Sequence, residues 1–241
     1  MGIRQYPRPG RKIDATGLIV QGGGPVATAM VAMARLGMKP AIICAVGDDI
    51  FGRFVIEQLR GDGVDTSHVI VKRGRTAIAV GWVEMASGRR TIALDLNLRI
   101  TPRDINPASL PEVGAVHLDG RDLPACLKLA RWARRRGIAV SFDIGSMRND
   151  VTEILPLVDH LVCARDFALP YTGTRSVGDA IRRLRRICPG TIVVTSGTGG
   201  SLGYSVGTGL IRQRAFRVKT VDTTGAGDAY HGGYLVGLLR G

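Results

Sequence analysis

The alternation of short apolar segments with longer amphipathic segments between residues 115 and 195 limits the folds open to this chain. Apolar runs typical of buried strands occupy residues 115–118, 138–142, 160–163 and 191–195. Between them, apolar side chains recur at helical spacing over residues 123–135, 154–157 and 177–187. Strands that alternate with helices in this way form parallel βαβ units with right-handed crossovers. We therefore predict an α/β protein with a mostly parallel central sheet.

Antiparallel strands and further helices are predicted on either side of this core. Two hairpins are predicted, one from residues 76–84 and 90–96 with its turn at 86–88, the other from 202–206 and 210–216. Further strands are predicted at 15–21 and 40–46, and helices at 26–36, at 51–60 and from Ala229 onward. No repeat or linker divides the chain, so we expect one domain over residues 1–241.

The chain is strongly basic, with 33 Lys and Arg against 20 Asp and Glu and a formal net charge of +13. Its arginine runs at 131–136 and 182–186 alternate with apolar residues at helical spacing, which predicts the outer faces of amphipathic helices. Aromatic residues make up only 5% of the chain, too few for a stacking platform. We expect no specific nucleic-acid binding, but a general attraction for anionic ligands.

The chain shows no segment that is apolar enough to span a bilayer, and its basic, proline-rich start lacks the apolar core of a signal peptide. A cytoplasmic protein without a membrane partner is the resulting prediction. Four cysteines (Cys44, Cys126, Cys163 and Cys188) lie apart, without Cys-x-x-Cys spacing. Buried free thiols are therefore expected, with neither a disulfide framework nor a metal site made by protein ligands.

A glycine-rich turn near the end of the chain carries the strongest chemical signal. Two carboxylates, Asp222 and Asp228, flank the sequence Thr-Thr-Gly-Ala-Gly, and an apolar helix pattern follows. Backbone amides that converge in such a turn, together with the positive end of a helix dipole, form a cradle for an anion such as phosphate. Asp228 would stand beside that anion, which suggests phosphoryl transfer with a carboxylate that accepts the proton of a hydroxyl nucleophile.

A second glycine-rich turn, Gly22-Gly23-Gly24-Pro25-Val26-Ala27, has an alternative interpretation. It satisfies the GxGxxA fingerprint of dinucleotide-binding oxidoreductases, and Asp48 or Asp49 follows at about the spacing of a ribose-binding acid. The glycines could also serve only to make a tight turn. A P-loop is absent from the sequence, and so are the motifs of protein kinases.

Four segments in order resemble the ribokinase-like (PfkB) carbohydrate kinases over nearly the whole chain. They are residues 22–37, residues 46–52 together with 63–66, residues 195–201 and residues 222–228. The resemblance implies a three-layer α/β sandwich in which strand 15–21 and the hairpin 76–96 form a small β-lid. It also implies ATP-dependent phosphorylation of a small sugar or sugar acid.

The resemblance also implies roles for individual residues. Asp228 would be the general base, and the amides of Gly225, Ala226 and Gly227 would form an anion hole for the transferred phosphoryl group. The ATP side would be lined by Thr195, Gly197, Gly200 and Thr223, and the sugar side by Gly23, Gly24 and Thr28. Mg²⁺ would bridge the ATP phosphates and be held through water and phosphate oxygens. Asp222 would either organise the cation or cap the turn.

The chain departs from the family pattern in several places. Thr28 stands where the family usually has Asn, and residues 164–167 replace an Asn-x-x-Glu motif, so Asp166 is a candidate to order the metal's waters. These residues and segment 117–121 resemble the ketohexokinase-type branch, which favours a ketose or sugar acid. His117 and His231 are expected to be hydrogen-bonded packing residues.

Other expectations concern the ends of the chain and its partners. The family begins with an additional strand and continues past the last helix, so we expect truncation at both ends. A homodimer through the lid is expected by analogy with the family. Two alternatives remain open: a non-catalytic sugar- or nucleotide-binding relative, and a nucleoside kinase.

Overall fold

The computed structural model describes residues 1–86, 90–147, 149–219 and 222–241. Its contacts divide the chain into two compact units, Met1–Gly23 with Ala41–Arg99 and Gly24–Pro40 with Ile100–Gly241. The single domain expected from the sequence therefore stays a prediction.

Most of the predicted strands and helices are present. The strands are β1 (Gly2–Ile3), β2 (Ala45–Gly47), β3 (Ile70–Lys72), β4 (Ile78–Glu84), β5 (Arg90–Asp95), β6 (Ala115–Leu118), β7 (Ala139–Ile144), β8 (His160–Ala164), β9 (Thr191–Thr195), β10 (Ser201–Ser205) and β11 (Gly209–Gln213). The helices are α1 (Pro25–Arg35), α2 (Ile50–Gly61), α3 (Leu123–Arg135), α4 (Arg165–Thr172), α5 (Val177–Leu184) and α6 (Ala226–Arg240). Of these elements, β1, β3 and α4 are additions that the sequence did not predict.

The second unit is built on a six-stranded sheet with the order β11-β10-β9-β8-β7-β6. Strands β6 to β9 are parallel neighbours, and β10 and β11 add an antiparallel hairpin. This confirms the mostly parallel sheet. Both sets of alternate side chains on β7 are buried, with Phe142 and Ser141 at 0% exposure. Burial of both sets means that other elements cover both faces of this strand.

Helix α4 was not predicted from the sequence. Pro170 lies inside it and Gly173, in the left-handed conformation, ends it after eight residues. A proline in a helix interior removes a hydrogen bond and normally indicates a break, which hides a helix this short from pattern analysis. The side chains of Phe167 and Ala168 are fully buried, so tertiary packing holds the segment in place.

The first unit contains a three-stranded sheet of order β1-β4-β5 and a parallel pair of β2 and β3. The β4–β5 hairpin is antiparallel as predicted, while Ser87 and Gly88 of its predicted turn lie outside the described residues. The strand predicted at residues 15–21 is wrong. Only an isolated bridge joins Gly17 to Gly2, and Leu18, Ile19 and Val20 are exposed. An apolar run alone does not make a strand when it has no ladder partner.

Asp49, a ribose-binding candidate of the oxidoreductase alternative, caps helix α2 instead. Its carboxylate accepts hydrogen bonds from the amide of Gly52 at 2.8 Å and from the hydroxyl and amide of Thr76 at 2.5 and 2.9 Å. These bonds, those from Thr76 first, lower the pKa of Asp49 to about 2. The carboxylate is thus fully used in joining the start of α2 to the segment before β4.

We expect Asp49 to stabilise the first unit in a pH-dependent way. Because its folded pKa is lowered from 3.8, its contribution is present above about pH 4 and is lost as the pH falls toward 2. The difference in denaturant midpoint between the native chain and Asp49→Asn should therefore be largest near pH 6 and shrink below pH 4. A difference that stays constant from pH 6 to the acid limit would mean that the charge of Asp49 is not what stabilises the cap.

Candidate active site

Two helices of the second unit, α1 and α6, begin at glycines with positive φ angles. Gly24 precedes α1 with φ 102° and Gly225 precedes α6 with φ 75°. The capping residue is a glycine in both helices and has no side chain to bond the first-turn amides. Amides of a first turn lack intrahelical acceptors, which makes a helix N-terminus a place where an anionic ligand can bind.

Helices α1 and α6 pack closely and run parallel to each other. A Cβ atom placed on Gly225, at the start of α6, would lie 3.2 Å from Cγ2 of Thr28. Further along, a Cβ on Gly232 would lie 2.6 Å from the carbonyl oxygen of Ala29. At the far end, the Arg240 guanidinium donates to the carbonyl of Leu36 at 2.6 Å. The two N-termini therefore lie at the same end of the pair, where their positive dipole ends add.

Asp228 lies in the first turn of α6 and is partly buried. Its Oδ2 would be 3.8 Å from a Cβ on Gly225, so the carboxylate sits beside the glycine that begins the helix. The amide of Ala226 donates to the carbonyl of Thr223 at 3.2 Å, so it already has a hydrogen-bond partner. The next amide in the first turn is that of Gly227, which directly precedes Asp228 in the sequence. The structure thus brings together Thr28, Gly225 and Asp228, which lie far apart in the sequence.

The turn before α6 is shaped by Asp222. Its Oδ1 accepts a hydrogen bond from the amide of Thr224 at 2.8 Å, the contact of an Asx turn. This contact matches one of the two roles considered for Asp222, the capping of the turn.

The predicted nucleotide-side loop follows the carboxyl end of β9. Thr195 ends that strand and donates its hydroxyl to the carbonyl of Cys163 at 3.4 Å. Gly197 begins a 3₁₀ turn, and Gly200 has φ 81°. A Cβ on Gly200 would lie 2.1 Å from the carbonyl oxygen of Gln213, so only glycine fits there.

Tyr230 joins this loop to helix α6 and was not singled out from the sequence. Its hydroxyl donates to Oγ of Ser201 at 3.2 Å, one residue after Gly200. The only sequence signal for Tyr230 was its position two residues after Asp228. Through this bond the second unit brings the loop of Gly197 and Gly200 to the first turns of α6.

Two other predicted positions are less closely tied to this arrangement. Asp166 is exposed in the first turn of α4, two residues after Ala164. Ala164 pairs with Thr195 across β8 and β9. Gly23 belongs to the first unit. Of the residues predicted for the sugar side, only Gly24 and Thr28 lie in the second unit.

Helix α6 is fixed to the sheet by one buried and one partly buried polar contact. The expectation that His231 is a hydrogen-bonded packing residue is confirmed, but its partner was not predicted. Nε2 of His231 lies 3.0 Å from Oδ1 of Asp143 on β7. One turn later, Tyr234 and Nδ1 of His160 on β8 are 2.8 Å apart. Burial raises the pKa of Tyr234 to about 12 and lowers that of His160, so the tyrosine hydroxyl donates to a neutral imidazole.

A mostly parallel sheet that ends in an antiparallel hairpin, followed by a helix with an uncapped N-terminus, defines the ribokinase-like α/β fold. The ribokinase of Thermotoga maritima shares it with a TM-score of 0.88 and 23% identity, over 100% of this chain and 82% of that one. A putative ribokinase II from E. coli, solved in complex with ATP and Mg²⁺, shares it with a TM-score of 0.80 and 24% identity over 96% and 81%.

The chain belongs to the pfkB family of carbohydrate kinases, whose model matches residues 8–241. It is 26% identical to the 5-dehydro-2-deoxygluconokinase of Geobacillus thermodenitrificans, over 91% of this chain and 72% of the relative. It is 30% identical to the 2-dehydro-3-deoxygluconokinase of Thermoproteus tenax, over 90% and 73%. The family makes the chain an ATP-dependent carbohydrate kinase, so the oxidoreductase interpretation of residues 22–27 is wrong.

Within the described residues, none of the helices combines the length and apolar character that crossing a membrane requires.

Proposed function

We propose that the protein transfers the terminal phosphoryl group of ATP to a hydroxyl group of a sugar acid, with Asp228 as the general base. The observation that carries this proposal is the parallel packing of α1 and α6, which sets two helix N-termini that begin at glycines beside one carboxylate. Amides and dipole ends at that place favour an anion, and the carboxylate can accept the proton of an attacking hydroxyl.

In the proposed reaction, the acceptor hydroxyl gives its proton to Asp228 while its oxygen attacks the γ-phosphorus of ATP. The bond between the γ-phosphorus and the bridging oxygen breaks, and ADP leaves with that electron pair. The predicted anion hole of Gly225, Ala226 and Gly227 would stabilise the charge on the transferred group. Because the amide of Ala226 already donates to Thr223, we assign the larger share to the other two amides.

The predicted ATP side consists of Thr195, Gly197, Gly200 and Thr223. Its assignment is supported by the bond from Tyr230 to Ser201, which holds this loop against α6. Among the described residues, no group of three carboxylates is close enough together to hold a cation. This fits Mg²⁺ held mainly by phosphate oxygens and water, where it would neutralise the phosphate charge. Asp166 and Asp222 remain candidates to order those waters.

The proposed substrate class is supported by the names of the relatives, which are kinases of dehydro-deoxygluconates. On the sugar side, Thr28 lies next to Gly225 in place of the family's usual Asn. A threonine offers one hydroxyl and lacks the paired donor and acceptor of an amide. We therefore expect Thr28 to contact a single acceptor oxygen.

The test is ATP-dependent phosphorylation across matched acceptors: 2-dehydro-3-deoxygluconate, 5-dehydro-2-deoxygluconate, fructose, ribose and adenosine. We expect kcat/KM for a dehydro-deoxygluconate to exceed that for adenosine by at least about tenfold, a difference of about 1.4 kcal/mol in transition-state binding. A preference for adenosine would favour a nucleoside kinase. Calorimetric binding of ATP or sugar without turnover of any acceptor would favour a non-catalytic relative.

We further propose a cytoplasmic homodimer that forms through the β4–β5 hairpin. Val80 on β4 and Ile92 and Leu94 on β5 are exposed by 42–50%, and a second copy of the chain would cover them. Light scattering of the purified chain should give twice the mass of 25.7 kDa, and Leu94→Lys should return it to the single mass. A monomer at micromolar concentration would contradict this.

A further inference from the structure

A cluster of two histidines and one aspartate joins helix α6 to the sheet, and none of its members was assigned to ATP or sugar. It comprises His117 on β6, Asp143 on β7 and His231 on α6, called here the His–Asp–His cluster. One ligand atom from each side chain lies within 4.8 Å of the other two. The rings of His117 and His231 are 5.2 Å apart between centroids, and the side chains of His231 and Asp143 are only 6% and 11% exposed.

Each imidazole in the cluster has one nitrogen that is already bonded. Nδ1 of His117 lies 3.1 Å from Oγ of Ser141, and Nε2 of His231 lies 3.0 Å from Oδ1 of Asp143. The other two nitrogens, Nε2 of His117 and Nδ1 of His231, are buried and have no hydrogen-bond partner among the described residues. Unpaired buried polar atoms are rare because they lose their hydration without compensation. Nε2 of His117 lies in the ring beside His231, whose Nε2 already contacts Asp143, and it is the unpaired atom that a ligand shared with that contact would satisfy.

The donor set of the cluster suits a cation rather than an anion. An imidazole binds a metal through the lone pair of one ring nitrogen. The carboxylate of Asp143 supplies a negative charge that offsets part of the charge of a bound cation.

We propose that His117, Asp143 and His231 bind a divalent transition metal such as Zn²⁺. Two imidazoles and one carboxylate are a common ligand set for zinc, whereas Mg²⁺ prefers oxygen ligands alone. Ligand atoms at about 2.1 Å from zinc stand about 3.4 Å apart in a tetrahedron. The 3.0 Å separation of Nε2 of His231 and Oδ1 of Asp143 is near this value, and since the ligand atom of His117 lies within 4.8 Å of both, it has to approach by at most about 1.4 Å. A water molecule would complete the tetrahedron.

A metal in this position would join α6 to two strands of the sheet, one turn after Asp228. The proposed site is therefore structural and distinct from the Mg²⁺ that accompanies ATP. It does not depend on the proposed kinase substrate, because binding can be measured without ATP or sugar.

The test uses the tag-free chain, stripped of metal with a chelator and refilled with Zn²⁺ or Co²⁺. We expect one equivalent of Zn²⁺ per chain by elemental analysis, visible absorption bands of tetrahedral Co²⁺, and a higher melting temperature with zinc. Competition with a chromophoric chelator should show at least a 100-fold weaker affinity for His117→Gln and for His231→Gln. The matched control is His160→Gln, which changes a partly buried histidine of the same unit outside the cluster and should keep the native affinity.

The proposal is overturned if the folded native chain takes up no stoichiometric Zn²⁺, or if His117→Gln binds it as well as the native chain does. Should the variants fail to fold, X-ray absorption of the zinc-loaded native chain decides, since it must report two imidazole ligands. Failure of the sugar assay alone would leave these readouts unchanged.

Discussion

Asp228→Asn is expected to lower kcat by about 10²–10⁴-fold while the KM for ATP changes little. Asparagine keeps the size of the side chain and its hydrogen-bonding capacity, but it cannot accept the proton of the acceptor hydroxyl. Asp228 is partly buried and lies beside Gly225 in the first turn of α6, so its carboxylate stands next to the proposed anion site. Steady-state kinetics at saturating ATP give the comparison.

The control for this substitution is Asp150→Asn. Asp150 is an exposed acid of the same unit that bonds only locally, to the amide and hydroxyl of Thr152 at 2.9 and 2.6 Å. It should retain native turnover. If Asp228→Asn also stays within a few-fold of the native rate, the general-base assignment is incorrect, whatever the substrate.

Gly232→Ala and Gly233→Ala are expected to change stability in opposite directions. Both glycines lie in α6, where alanine is favoured over glycine by about 1 kcal/mol. A Cβ on Gly233 meets no atom within 4 Å, so that variant should gain about 0.5–1 kcal/mol. A Cβ on Gly232 would lie 2.6 Å from the carbonyl of Ala29 and 2.7 Å from Cβ of Ala32, so α1 and α6 must separate. Overpacking of this kind costs about 1–3 kcal/mol.

Denaturant midpoints measure the free energies of unfolding of the two variants. The same two variants also test the candidate active site. Separation of the helices would move the N-terminus of α1 away from that of α6, so Gly232→Ala should lose catalytic rate while Gly233→Ala keeps it. Equal stability of the two variants would show that α1 and α6 are not in close contact at Gly232.

Much of the fold follows from local sequence patterns. Strand and helix spacing between residues 115 and 195 predicted the parallel sheet because buried strands and amphipathic helices have different periods. The same reasoning was wrong for residues 15–21, because an apolar segment becomes a strand only when it pairs with another strand, and this one makes only an isolated bridge. It also missed α4, because Pro170 interrupts the helical pattern. It also began α6 at Ala229 although the helix starts at Ala226, because glycines in a first turn carry no helical signal.

The individual motifs of the candidate site could be predicted from the sequence, but the contacts between those motifs could not. The motif around Gly225 and Asp228 is continuous in the chain, so its chemistry can be proposed from sequence. The packing of Thr28 against Gly225, and of His231 against Asp143, joins segments that are far apart in the sequence. No local pattern records such contacts, because they depend on how the helices dock.

The contacts of α6 with the sheet have a consequence for how the catalytic helix can vary. Apolar side chains tolerate sliding, but the bonds of His231 to Asp143 and of Tyr234 to His160 are directional, and the first of them is buried. They fix the rotation of α6 and its position along its own axis. One residue inserted between Asp228 and His231 would turn the carboxylate by about 100° and shift it by about 1.5 Å. Sequence changes between these two positions should therefore be limited to substitutions, with insertions and deletions tolerated only outside the helix.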